Sequence, residues 1–392
     1  MAALRRAHAS TSEIRLARLA VERAEEAERA ALSALLPNLT ATAAYTRYDS
    51  EIERAGVGVI READLFSGTV VASETIVPRT FGTRRTAAAS TRLARSRVRD
   101  AARLVRASAA RTFYTVLTAR RAAALARTQL QGAIRQHRAT DARIRAGVAL
   151  PIDRSRAELA VLEAARRVAD ADATLARAQD QLGHVLALEE PVDAEGDPAP
   201  RADEPLDRWI ERAFSRRADL RVLDASRLVA RRTLSEQWLR FLPTLSISWT
   251  LNWTSASTAF SGDNVSWVAV GQLTVPLYDG GARYSAIRDA GLALDEIAER
   301  EVQLRRSVRL EVRDAFRRVE TARRALELSQ RSVDVAERAR RRAEAAYAAG
   351  ALTGIELDEA RRQHEEAETT VLLRALDRQL AMVDLLAASG ML

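Results

Sequence analysis

Carboxylates and imidazoles are the side chains of this 392-residue sequence that could hold a metal or move a proton. The four histidines, His8, His137, His184 and His364, are scattered, and none stands in a spacing such as HExxH that would bring two imidazoles to one ion. Cysteine is absent, which excludes disulfides, thiolate nucleophiles, thiolate metal sites and a lipidated cysteine within the chain. Gly280-Gly281 follows a strand-like run, as a phosphate loop would, but the GxxxxGK[ST] spacing is missing and the pair reads as a strand-to-helix junction. The carboxylates are more regular. Asp153 and Glu356 each stand six residues after a glycine, Gly147 and Gly350. A glycine just past a helix end takes the left-handed conformation, and an acid in the first turn of the next helix faces the positive end of its dipole. The chemistry these residues favour is helix capping. No enzyme activity, cofactor or metal site is expected.

The elements that carry those turns are long. From about Arg84 to Ala146 there is no Pro and one Gly, and from about Tyr284 to Ala349 the same holds. Some sixty residues at about 1.5 Å each make roughly 90–100 Å of helix, more than a globular domain of this size needs. A heptad runs through the second helix, with Val312, Val319, Leu326, Val333, Arg340 and Tyr347 at one position and Ala315, Ala322, Ser329, Ala336 and Ala343 at the other. Alternating steps of three and four make a left-handed coiled-coil seam, and its small residues allow close approach. Return helices are expected over about 153–187 and 355–388, so that each long helix doubles back as an antiparallel hairpin.

FLPTLSISWTLNWTS, residues 241–255, breaks the helical pattern. Leu245, Ile247, Trp249, Leu251 and Trp253 alternate with Ser246, Ser248, Thr250 and Asn252, the period of a strand with one apolar and one polar face. After a polar loop at 255–264, VSWVAVGQLTV places Trp267, Ala269, Leu273 and Val275 on one face.

The chain repeats itself. EIRLARLAVERA (13–24) aligns with DLRVLDASRLVA (219–230), and LLPNLTATAAY (35–45) with FLPTLSISWTL (241–251). IVPRTFGTRR (76–85) aligns with TVPLYDGGAR (274–283), and RAGVALPIDRSRAE (145–158) with AAGALTGIELDEAR (348–361). The first repeat, 1–200, is expected to hold a helix at 1–36, strands at about 39–48 and 65–77, a long helix at about 84–146 and its return. The second, 201–392, is expected to hold helices at about 205–240, strands at about 245–254 and 265–275, a long helix at about 284–349 and its return. Ten or so residues suit a tilted strand crossing a bilayer. Two hairpins cannot close a barrel alone, and a closed barrel is the only sheet that hydrocarbon tolerates. Several chains would have to contribute strands to one barrel, with Trp249, Trp253 and Trp267 on its lipid side.

Composition points partly elsewhere. All 61 cationic residues are Arg, set against 53 acids, and the pI is near 10.6. Such a balance suits nucleic acid or an anionic surface, but the arginines are interleaved with acids along the helices rather than gathered in a tail. No run of 18 apolar residues offers a transmembrane helix, and residues 1–15 lack the apolar core of a signal peptide. Taken alone, these features suit a cytosolic basic coiled-coil scaffold or nucleic-acid-binding protein.

Taken together, LPNLTATAAY, LPTLSISW, VPLYDGGAR and AYAAGALTGIELDEA resemble the TolC-like outer-membrane efflux proteins over essentially the whole chain. The resemblance implies a mainly α fold with a small β part, assembled as a homotrimer. Three chains would each give four strands to a twelve-stranded outer-membrane barrel, and their helices would form a periplasmic tunnel. It implies a passive exit duct for efflux or type I secretion, joined through a periplasmic membrane-fusion adaptor to an inner-membrane pump, with outer-membrane lipid and not nucleic acid around it. A secretory signal is then expected upstream of residue 1.

The family's periplasmic gate carries over residue by residue. Tyr347 matches the network tyrosine and Asp153 its carboxylate partner, while Glu356 and Glu359 match the acidic rings. The family's network arginine falls on Leu352, so that link is missing here. The tips expected to touch the adaptor are Gly147, Val148, Ala149, Leu150, Pro151 and Ile152 in the first repeat. In the second they are Gly350, Ala351, Leu352, Thr353, Gly354 and Ile355.

Overall fold

The computed structural model describes residues 11–56, 58–196, 204–256 and 263–392. The start of the expected first helix, His8, the boundary at 200/201 and most of the expected loop at 255–264 lie outside the described residues.

In chain order the elements are α1 (Ser12–Ser33), β1 (Asn38–Arg47), β2 (Ile52–Arg54), β3 (Gly58–Arg61), β4 (Asp64–Ile76), α2 (Pro78–Arg145) and α3 (Pro151–Val185). There follow α4 (Leu206–Arg216), α5 (Ala218–Trp238), a 3₁₀ turn at Leu239–Phe241, β5 (Thr244–Thr254), β6 (Val265–Thr274), α6 (Ala282–Ala348) and α7 (Gly354–Ala388). Two features depart from expectation, and a third fixes where the helices expected over 205–240 divide. The first long helix starts at Pro78 rather than near Arg84, because a proline is well tolerated at the first helical position, where its missing N–H needs no partner. A small hairpin, β2–β3, interrupts the expected loop between β1 and β4. The stretch at 205–240 is broken at Arg217, whose backbone is extended although no Gly or Pro stands there.

The sheet is an antiparallel meander, β1-β4-β5-β6, and β4 pairs with β5 across the two repeats. Its register settles both faces. Trp249 pairs with Ala72 on one side and Ala269 on the other, Leu251 with Val70 and Trp267, and Trp253 with Gly68 and Val265. Directly paired residues share a face, so Leu39, Ala41, Ala43 and Tyr45 of β1 join the same apolar side. The opposite side carries mostly polar residues, Thr40, Thr42, Ser67, Thr69, Ser73, Ser246, Ser248, Thr250, Asn252, Ser266 and Gln272, with Val71, Val268 and Val270 among them. Gly68 leaves room for the neighbouring indole: a Cβ there would lie 3.7 Å from Cε3 of Trp253. The alternation that was weak in residues 65–77 thus resolves into Phe66, Val70, Ala72 and Ile76 on the apolar face, with Glu74 the one charge among them.

Packing cuts across the repeats to make two compact units. One comprises Arg18–Ser96 and Arg221–Glu301 and contains the sheet. In it the N-terminal part of α2 meets α5 at Gly82, where a Cβ would come within 2.9 Å of Leu239 and 3.0 Å of Glu236. The hydroxyls of Thr83 and Thr86 both donate to the Glu236 carboxylate, at 2.8 and 3.1 Å. The other unit comprises the described residues up to Ala17 and those within Arg97–Leu220 and Val302–Leu392. Its cores are built from small residues: Ala102, Val105, Ala109 and Val116 of α2 against Ala178 and Leu182 of α3, and Val308, Val312, Ala315 and Val319 of α6 against Ala381, Met382 and Leu385 of α7. Trp209 of α4 fills the second core. Along α6 the heptad positions are buried at Val312, Ala315 and Val319 and half-buried at Leu326, Val333, Arg340 and Tyr347. That is the burial a coiled-coil seam requires.

Candidate functional site

Both helix hairpins turn by the same hydrogen bonds. At the first tip Gly147 has φ +75°, its N–H donates to the Ile144 carbonyl, and the N–H of Val148 reaches back to Arg143. At the second, Gly350 has φ +77°, its N–H donates to Tyr347, and the N–H of Ala351 reaches back to Ala346. A left-handed glycine with a bond spanning five residues is the usual way to satisfy the last carbonyls of a helix. The return helices are capped alike. The Asp153 carboxylate accepts from the N–H of Leu150 at 3.1 Å. The Glu356 carboxylate accepts from the N–H of Thr353 at 2.9 Å and from its hydroxyl at 2.7 Å. These bonds from Thr353, first backbone and then side chain, hold the Glu356 carboxyl below the usual carboxylate range.

Not all four expected gate residues come together. Tyr347 and Asp153 line one small cleft between the two tips, with Gln136, Thr140, Arg156, Gly354 and Leu357. Gly354 lies against both: a Cβ there would sit in ordinary contact, 3.5 Å from Oδ1 of Asp153 and 3.9 Å from the Tyr347 ring. Glu356 and Glu359 are exposed and do not line the cleft. Glu359 is bound by Arg362 at 2.6 Å and by Gln363 at 2.8 Å, and its carboxyl too is held low, chiefly by the Arg362 hydrogen bonds. Asp358 lines the cleft while remaining exposed, and the atoms packed on its inner side desolvate its carboxyl enough to push it up.

Sequence reasoning missed Arg143. Its guanidinium lies over the Tyr347 ring, 4.2 Å from the centroid. Arg143 is on α2 and Tyr347 on α6, so nothing in linear spacing pairs them. The tips also present apolar groups outward: Val148, Leu150, Ile152 and Ile355 are all more than half exposed, and Leu352 is half-buried.

The second apolar surface is on the sheet. Ile247, Trp249, Trp253 and Leu273 are exposed, and Trp267 is 68% exposed. Leu245 and Leu251 are half-buried. Both edge strands, β1 and β6, have an unpaired side. No helix among the described residues is long and apolar enough to cross a membrane.

Comparison with known proteins agrees with this geometry. The model of the family described as outer membrane efflux protein matches residues 3–187 and 209–391. No curated protein matches the sequence. Several solved structures share the fold over 99% of this chain. A membrane protein from Pseudomonas aeruginosa is 20% identical, covered over 92% of its length, with a TM-score of 0.83. The CmeC outer membrane channel of Campylobacter jejuni is 18% identical, covered over 84%, with a TM-score of 0.82. The open state of the MtrE outer membrane channel of Neisseria gonorrhoeae is 19% identical, covered over 88%, with a TM-score of 0.81. Channels of this family work with an adaptor and an inner-membrane pump, and the cytosolic nucleic-acid-binding alternative gains nothing from the match. With its two-repeat helical fold, its amphipathic four-stranded sheet and a match spanning nearly the whole sequence, the chain belongs to the outer membrane efflux protein family and serves as an outer-membrane exit duct of an efflux system.

Proposed function

We propose that three copies of this chain close a single twelve-stranded barrel, and that their helices line a tunnel gated at the hairpin tips. The observation that carries this reading is the sheet. It has one mainly apolar face and one face rich in Ser, Thr and Asn in register across four strands, and an unpaired edge at each side. Open edges do not persist in hydrocarbon, and pairing β6 of one copy with β1 of the next removes all of them once the ring closes. Leu245, Ile247, Trp249, Leu251, Trp253 and Trp267 then face lipid, and the serines and threonines face a wet lumen. Tyr347, Asp153, Glu356 and Glu359 are the gate residues in this reading, and residues 147–152 and 350–355 meet the adaptor. The duct carries cargo passively and performs no catalysis.

The test is the assembly itself. Purified from outer membranes, the protein should run as a trimer that resists SDS until heated, and should form discrete conductance steps in planar bilayers. A stable monomer without conductance would overturn the reading.

A further inference from the structure

We infer that Arg143 closes the gate by clamping Tyr347, and that Tyr347 acts there through its aromatic ring rather than its hydroxyl. This inference rests on the proposal that the tips form a gate. Four observations lead to it. The Arg143 guanidinium lies 4.2 Å from the Tyr347 ring centroid. Its Nε is enclosed and has no hydrogen-bond partner, and among the described residues no carboxylate pairs with Arg143. The Tyr347 hydroxyl likewise makes no hydrogen bond among the described residues. Asp153, the partner the family resemblance implies, instead gives one oxygen to the Leu150 N–H at 3.1 Å and holds the other 3.6 Å from Arg156.

The chemistry favours the ring. A planar guanidinium stacks on an aromatic face and is less strongly hydrated than an ammonium, so it gives up less on moving there. Arg143 sits in the last turn of α2, where its charge also suits the negative end of that helix. The clamp therefore ties the end of α2 to the end of α6, joining the two hairpin tips of one protomer. In this reading Arg143 supplies a cation to the tips where the arginine that the resemblance places at Leu352 is missing.

Planar-bilayer recordings of the purified channel would measure the fraction of time spent open. Arg143→Ala and Tyr347→Ala should each raise it about two- to five-fold, the ratio set by a cation–π contact of ~0.5–1 kcal/mol at 25 °C. Combining them should add nothing to either alone, as expected for partners in one contact. Tyr347→Phe should leave gating unchanged. Heat-dependent dissociation of the SDS-resistant trimer confirms that each variant is assembled. Opening by Tyr347→Phe equal to that of Tyr347→Ala would overturn the inference, because the hydroxyl would then be the working group. Opening by Tyr347→Ala but not by Arg143→Ala would overturn it while leaving the gate in place. If Tyr347→Ala left the channel closed, the gate proposal itself would fall, and the clamp with it.

Discussion

The guanidinium of Arg217 lies 2.6 Å from the Glu311 carboxylate and ties the break between α4 and α5 to α6. The same side chain, 5% exposed, binds Asp219 at 2.6 Å and donates to the carbonyl of Ala388 at 3.2 Å. The extended backbone that interrupts the two helices is thus held by partners far along the chain. Gly390, at φ +70°, packs against the same break, where a Cβ would come within 3.0 Å of the Arg217 nitrogen.

Removing that guanidinium leaves two carboxylates and a carbonyl without their donor. Arg217→Ala should cost roughly 2–3 kcal/mol. Arg217→Lys should recover only part of it, since an ammonium cannot bridge three acceptors in one plane. Thermal melts of the helical circular-dichroism signal would measure both. A melting temperature unchanged in Arg217→Ala would show the cluster to be incidental.

The same cluster has a pH signature. Burial opposes ionisation of Asp219, but the hydrogen bonds and charge of Arg217, helped by Arg103, outweigh it and hold its carboxyl below the ordinary value. A carboxyl depressed in the folded state stabilises the fold above its unfolded pKa, about 3.9, and loses that contribution as pH falls through the lower folded value. The stability gap between wild type and Asp219→Asn should therefore be full at pH 7 and shrink below about pH 4. Urea titrations at both pH values would show it. A gap that widened in acid would contradict the sign.

Backbone conformation near the end of α3 makes a paired prediction. A Cβ on Gly183 would sit 2.4 Å from the Glu190 carbonyl oxygen, and backbone yields poorly. Gly183→Ala should destabilise by roughly 1–3 kcal/mol. Four residues on, Ala187 holds φ +54°, a region alanine adopts only at a cost. Ala187→Gly should be neutral or stabilising by up to ~1 kcal/mol. Melts should show a lowered midpoint for Gly183→Ala and an unchanged or raised one for Ala187→Gly.

The two faces of β5 are testable as a pair. Trp249→Arg places a cation on the apolar face and should lower stability in the membrane by about 2–4 kcal/mol near the bilayer midplane. Ser248→Arg, one residue away on the polar face, should be tolerated. The yield of SDS-resistant trimer from outer membranes would distinguish them, and equal losses would refute the assignment of faces.

Some of this was legible in one dimension because it depends on local geometry. Alternation over residues 245–254 could only be a two-faced strand. Gly147 and Gly350, each followed by an acid six residues on, were readable as paired helix turns with acids at the start of the returns. The heptad through α6 named residues that are buried at Val312, Ala315 and Val319 and half-buried farther along it. Other features depend on groups that meet only after the chain has folded. Weak alternation in residues 65–77 became a clear face once β5 set the register of β4. The break at Arg217 has no local breaker and exists because Asp219, Glu311 and the Ala388 carbonyl converge on one guanidinium. Arg143 and Tyr347, on helices from different repeats, are partners only through the packing of the two hairpins. Periodicity and turn chemistry act over a few residues and are written in the sequence. Ion clusters, strand order and ring contacts join residues tens to hundreds of positions apart, and only the tertiary structure decides them.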